Sequence, residues 1–214
     1  MCIRDRDEIG IDSICINNMI DTSVFGYMSK DKNDNIFRFV TVSSLTANKR
    51  VGLMIESFSK LISKYHIDNV ELHIIGDGIE KKNLYDMVSK LGIKLKVNFH
   101  GILNRYEVKK IFDNSQCFVL TSKKETFGVA CAEALLNGLP VVVTKCGGPE
   151  EFINEQNGIV TDDTNIVESM YYMYNNIGDY DGSYVSNKAK ELFSEKNIVN
   201  KLENVYYELI KSSR

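Results

Sequence analysis

The chain has 214 residues, a formal net charge of −3 and 43% hydrophobic residues, enough apolar material for a real core. A sequence pI near 5.7 leaves no general basic surface, so nucleic-acid binding has little support. No apolar run approaches the roughly 18 residues that cross a bilayer and no signal-peptide pattern opens the chain, so a soluble, cytoplasmic protein is expected.

Residues 1–6, MCIRDR, connect to no downstream pattern and resemble a translated sequencing-adapter remnant. Residues 1–12 are therefore read as a non-native or linker stretch. Residues 13–25, SICINNMIDTSVF, read as a short strand, a polar turn and an aspartate-led stop. Residues 36–42 alternate and then run apolar, as a first core strand. Met54, Phe58, Leu61 and Ile62 recur at i, i+4, i+7 and i+8, the stripe of an amphipathic helix over 51–65. Residues 70–75 read as a second strand. After the turn Gly76, Asp77, Gly78, the residues Leu84, Met87, Val88 and Leu91 share a helix face. A third strand over 95–99, a third helix over 105–112 and a fourth strand over 117–120 follow. Thr126 is expected to cap a helix over 129–137, with Gly138 as its left-handed stop. Val141, Val142 and Val143 then form a run short enough for a buried parallel strand. Gly147, Gly148 and Pro149 make a second turn, where Glu150 and Glu151 open a short helix. Beyond 158–160 the tail is helical, with Leu202, Val205, Tyr206, Leu209 and Ile210 on one stripe.

Strands alternating with helices predict an α/β, Rossmann-like, doubly wound parallel sheet covered on both faces, with a helical C-terminal tail. Ligands of such sheets sit outside the carboxyl ends of the strands, near the switch in strand order. The loops after Val42, Ile75, Phe99, Leu120 and Val143 all fall at that edge.

Glu125 and Glu133 are eight residues apart, roughly 12 Å along the axis if the interval is helical. Between them Gly128 sits at a helix mouth, where free amides and the positive dipole end favour a phosphate. One site would then hold a diphosphate with a hydroxyl-accepting carboxylate on either side. Glutamates at this spacing are more often solvated, so the spacing alone decides nothing. The cysteines at 2, 15, 117, 131 and 146 are odd in number and form no C-x2-C pair, so reduced thiols are expected, with Cys117 and Cys131 acting as small apolar residues. His66, His73 and His100 lack metal-ligand spacing. D-x-D occurs at Asp5 and Asp7 and at Asp179 and Asp181, but neither copy follows an apolar strand, so no metal and no cofactor are expected.

Several short words occur in a characteristic order and spacing: the E-x7-E pair Glu125 and Glu133, FG at Phe127 and Gly128, EAL and GLPVV over 133–142, and GGPEE over 147–151. They resemble the nucleotide-sugar half of GT-B-fold glycosyltransferases of the retaining type, family four. The resemblance implies that 36–165 is a nucleotide-sugar-binding domain, the C-terminal half of a GT-B fold. It implies an interdomain segment over 13–35, with Asn17, Asn18 and Asp21 at the matching places. Residues 166–214 would be C-terminal helices, the last crossing back to an N-terminal domain expected to be missing from this chain.

By the same resemblance Glu133 accepts the ribose hydroxyls, Glu125 is a catalytic carboxylate at the donor sugar, and Lys49 is the lysine that offsets charge on the leaving diphosphate. Phe127 and the amides of Gly128 and Val129, with backbone at Gly147 and Gly148, are implied at the diphosphate. The loop with Gly76 and Gly78 would border the nucleotide, and the turn from Gly101 to Leu103 would face the base. The family's arginine five residues before the lysine is Ser44 in this chain, and a serine does not replace a bidentate guanidinium. Arg50, where the family commonly has glycine, is the candidate substitute. A dinucleotide reading of Gly76 to Gly78 lacks its third glycine, since position 81 is Lys81.

The implied activity is a metal-independent hexosyl transfer, with retention, from a nucleotide-diphosphate sugar to an acceptor hydroxyl. The acceptor would be a glycan or lipid-linked glycan in cell-surface polysaccharide synthesis, with peripheral membrane association of the full-length enzyme. The chain alone is expected to bind nucleotide weakly and transfer nothing. Two alternatives stand beside this reading, a non-catalytic nucleotide-binding α/β module and a GT-B-fold nucleotide-sugar epimerase, and fold alone does not separate them.

Overall fold

A computed structural model describes residues 16–28 and 34–212. The stretch 1–12, with Asp5, Asp7 and Cys2, and the start of the 13–25 segment, with Cys15, lie outside the described residues. Strands and helices alternate: β1 (Phe37–Val42), α1 (Val51–Tyr65), β2 (Val70–Ile75), α2 (Lys81–Lys90), β3 (Val97–Gly101), α3 (Arg105–Asn114), β4 (Cys117–Leu120), α4 (Val129–Leu136), β5 (Val141–Thr144) and β6 (Gly158–Thr161). Three tail helices follow, α5 (Ile166–Asn176), α6 (Gly182–Phe193) and α7 (Glu195–Ser212).

The six strands form one sheet in the order β3-β2-β1-β4-β5-β6, and every pairing is parallel. The order reverses between β1 and β4, where Val40 lies opposite Phe118. Adjacent residues of a strand point to opposite faces, so each central strand feeds two cores. On one face Phe39, Leu72 and Val119 pack with Met54, Phe58 and Leu61 of α1 and Met170 and Met173 of α5. On the other, Val40, Phe118 and Val141 pack with Phe112 of α3, Leu135 of α4 and Phe193 of α6. Burial on both sides explains why these strands read as unbroken apolar runs.

Three local expectations change. The third strand begins at Val97, because Leu72 of β2 pairs there; residues Lys94–Lys96 form a single turn that leaves Leu95 96% exposed. The alternation at Leu95 imitates a strand without a partner to pair with. Residues 158–160, expected only to lead into the tail, are β6, paired in register along all of β5. Residues 16–28 are turn and coil rather than strand, held down by buried Ile20 and Phe25 and by a 2.9 Å bond from the Ile20 amide to the Phe193 carbonyl. The stripe on α7 is not packed on this sheet, and Leu202, Tyr206, Leu209 and Ile210 remain exposed. Among the described residues no helix is long and apolar enough to cross a membrane.

Cys117, Cys131 and Cys146 are buried free thiols. Burial pushes all three thiols up, Cys146 to about 12. In the native protein at about pH 8 these three should resist iodoacetamide and react only on unfolding, because the thiolate is the nucleophile. Peptide mass spectrometry after labelling checks this, and native-state alkylation at the rate of a free cysteine would contradict it.

Candidate functional site

Parallel strands deliver their following loops to one edge, and the loops after β1 and β4 diverge to opposite faces there. In this chain the two loops are zipped together before they part. The Thr121 hydroxyl donates to the carbonyls of Lys49 (3.1 Å) and Arg50 (3.0 Å). The Lys123 amide donates to the Asn48 carbonyl at 2.7 Å, and Asn48 Nδ2 returns a bond to the Lys124 carbonyl at 3.0 Å. That stitching brings Lys49 Nζ to 2.6 Å from Glu125 Oε1, where the Ser122 hydroxyl also donates at 2.5 Å. Glu125 is clamped in its own backbone as well: its amide donates to the Cys146 carbonyl at 2.7 Å and its carbonyl accepts from the Gly148 amide at 3.0 Å. Two residues 76 positions apart, both implicated by the family pattern, therefore meet in one fixed pair.

Arg50 is built into the same junction. In a left-handed conformation (φ 48°) it sends Nε to the Thr121 carbonyl at 2.8 Å and Nη2 to the Ser122 carbonyl at 3.2 Å and Thr144 Oγ1 at 3.3 Å. Asp163 takes the remaining face of the guanidinium at 2.5 and 2.9 Å. This arginine ties the ends of β1, β4, β5 and β6 and does not stand in for the arginine missing at Ser44. Ser44 itself is exposed in the β1 loop.

The N-cap of α4 is Gly128 at φ 87°, a residue with no side chain to offer, and not Thr126. The helix covers only Val129–Leu136, so Glu125 lies outside it, in the bridge to Gly147, and only Glu133 is helical. The helical 12 Å spacing expected between the two glutamates does not apply. A Cβ on Gly128 would stand 2.6 Å from the Pro149 ring. Gly147 and Gly148 do not offer amides to a diphosphate: the first donates to Glu150 Oε1 at 2.6 Å and the second to the Glu125 carbonyl. The glycine at 148 is needed because a Cβ would lie 2.4 Å from the Thr126 carbonyl.

The loop after β2 is likewise closed on its neighbours. A Cβ on Gly76 would come 1.9 Å from the Ser43 carbonyl and one on Gly78 2.4 Å from that of Leu45. Their amides donate to the Gly101 carbonyl and to Asp77 Oδ1, each at 2.7 Å. Gly101 adopts φ 69° facing open space, and Leu103 is half-buried against the core below. Phe127 stacks edge-on against Phe193, so its ring serves the core rather than the crevice, while Val129 is exposed at the helix mouth.

Glu133 projects from α4 and is 8% exposed. Burial pushes its carboxyl above the ordinary value, and the charge and hydrogen bond of Arg105 oppose that rise. Arg105 Nη2 stands 3.2 Å from Glu133 Oε1 and Nη1 3.4 Å from Asp21 Oδ2. Sequence reasoning missed Arg105. The signal that places it is the capping box of α3, in which Asn104 and Glu107 exchange bonds at 3.1 and 2.8 Å and so fix the first turn.

The remaining polar motifs are structural. Asp181 caps α6 by accepting from the amides of Ser183 and Tyr184. His73 and His100 stack and share a hydrogen bond at 2.9 Å. Among the described residues no group of three histidines, cysteines or acids could hold a metal ion. Arg50→Ala should lower unfolding free energy by about 2 kcal/mol, since it strips donors from two strand-end carbonyls. Urea denaturation followed by circular dichroism measures this, and wild-type stability in the variant would contradict the tie.

Residues 28–172 match the family described as glycosyl transferases group 1. An uncharacterised glycosyltransferase of Methanocaldococcus jannaschii is 32% identical over 171 residues, 77% of this chain and 43% of that protein. N-acetyl-alpha-D-glucosaminyl L-malate synthase of Bacillus anthracis is 25% identical over 185 residues, 82% of this chain and 46% of that protein. Among solved structures, S. aureus TarM, in a complex that includes UDP, superposes with a TM-score of 0.80 at 22% identity, over 96% of this chain and 43% of that one. Anabaena HepE in complex with UDP and glucose gives 0.75 at 21% identity, over 90% of this chain and 56% of that one. At those identities the likeness shows the fold, the α/β sheet of a GT-B glycosyltransferase. The chain spans less than half the length of these two curated relatives.

Proposed function

The chain belongs to the glycosyl transferases of group 1, and from that membership we propose that it is the donor-binding half of a retaining hexosyltransferase that takes a nucleotide-diphosphate sugar. The observation that carries the reading is the Lys49–Glu125 pair, held at the β1–β4 switch point beside the mouth of α4. A helix start with a left-handed glycine at its N-cap suits a diphosphate. The Lys49 ammonium stabilises the charge that gathers on that diphosphate as the sugar–oxygen bond breaks. Glu125 accepts hydroxyls of the donor sugar, and Glu133 accepts those of the ribose.

In the transfer step the bond from the anomeric carbon to the diphosphate breaks and the acceptor oxygen bonds on the same face. The acceptor's proton passes to the leaving phosphate, and no metal takes part. The acceptor, a glycan or lipid-linked glycan of a cell-surface polysaccharide, is met by the part of the relatives' length that lies beyond the match. On this reading the enzyme works in the cytoplasm, touching the membrane from its surface, and this chain by itself binds donor weakly without transferring sugar. The UDP in the TarM and HepE complexes makes uridine diphosphate the first ligand to test.

Isothermal titration with uridine and guanosine diphosphates should show binding to one of them. Lys49→Ala and Glu133→Ala should each weaken it at least about tenfold, the scale of a charge-assisted hydrogen bond. Silence with both nucleotides would refute the donor site, and binding unaltered by Glu133→Ala would favour the non-catalytic module instead.

A further inference from the structure

Arg105 bridges two carboxylates that come from distant parts of the chain. One is Glu133 on α4, at 3.2 Å; the other is Asp21 in the segment before β1, at 3.4 Å. The arginine side chain is 49% exposed and that of Glu133 only 11%, so a solvent-facing cation lies over a nearly buried anion. Asp21 is held in turn by the amide and hydroxyl of Ser23, at 2.9 and 2.6 Å. The capping box fixes the first turn of α3, from which Arg105 springs. Each end of the bridge is therefore anchored independently of any ligand.

The ionisable groups whose charges reach Glu133 are Arg105 and, behind it, Asp21. Burial and Asp21 favour the protonated acid, and Arg105 alone favours the carboxylate. The distinction matters chemically. An ionised carboxylate is acceptor-only and takes two hydroxyl protons, whereas a carboxylic acid spends one oxygen as a donor. Acceptance of both hydroxyl protons of a vicinal diol, one by each oxygen of Glu133, therefore requires the charged form.

On the donor-site reading above, we propose that Arg105 is a positioning residue which holds Glu133 ionised and fixed in place, so that the carboxylate receives the ribose of the nucleotide throughout the neutral range. Arg105 acts through Glu133 and does not touch the reacting atoms. Its removal weakens nucleotide binding most at low pH, where the unsupported acid takes up a proton, and least at high pH, where Glu133 ionises unaided.

The test uses the chain as it stands, with uridine and guanosine diphosphates titrated calorimetrically into wild type, Arg105→Gln and Arg105→Lys across about pH 5.5 to 8.5. A 13C-carboxyl NMR titration of Glu133, assigned with Glu133→Gln, runs in parallel and needs no ligand. In Arg105→Gln the affinity should fall about tenfold at the acid end and return to within about twofold of wild type at the alkaline end. The Glu133 midpoint should move up in Arg105→Gln, and Arg105→Lys should restore most of both. An affinity loss of equal size at every pH, or an unmoved Glu133 midpoint, overturns the inference while leaving the donor site standing. Wild-type protein that binds neither diphosphate refutes the donor site itself, and the inference falls with it.

Discussion

The site depends on how the carboxyl ends of β1 and β4 are joined. At a switch in strand order the following helices leave to opposite faces, and the last carbonyls of the strands would be left without partners in a crevice. Arg50 answers that need with one guanidinium, reaching the carbonyls of Thr121 and Ser122, the hydroxyl of Thr144 and the carboxylate of Asp163. Thr121 completes the seam from the other side through the carbonyls of Lys49 and Arg50. Because the seam closes at residue 50, the neighbouring Lys49 is directed to Glu125. An arginine that ties strand ends and a lysine paired with Glu125 stand side by side.

Backbone contact does the rest. Gly76, Gly78 and Gly148 each lie where a Cβ would enter a neighbouring loop, and the amides of Gly76, Gly78, Gly147 and Gly148 are already spent within the protein. These loops form a rigid wall rather than a set of ligand donors. The helix mouth at Gly128 is different, since its N-cap residue has no side chain.

Charge balance in the crevice follows the same economy of parts. Glu125 is matched by Lys49 and Glu133 by Arg105, so each acid that would repel an anionic ligand has a cation at hydrogen-bonding distance. The two pairs differ in setting. Glu125 sits in a bridge between strand ends with a serine hydroxyl on it, whereas Glu133 is on a buried helix face and relies on an arginine from another element. Two similar side chains thereby sit in different surroundings.

The sequence by itself determined the parallel α/β sheet, because apolar runs such as 141–143 and the stripe on α1 carry the strand and helix periods without help from distant residues. Through the family resemblance it also pointed to Lys49 and Glu125, which the fold brings to 2.6 Å of one another. It did not show Leu95 as solvent-exposed or β6 as a strand, since each is settled by pairing with another segment. Nor did it separate Arg50 from Lys49, or single out Arg105. Those placements depend on Thr121, Asp163, Glu125, Glu133 and Asp21, tens of residues away, and only folding sets the distances that decide whether a cation ties strand ends or pairs with a carboxylate.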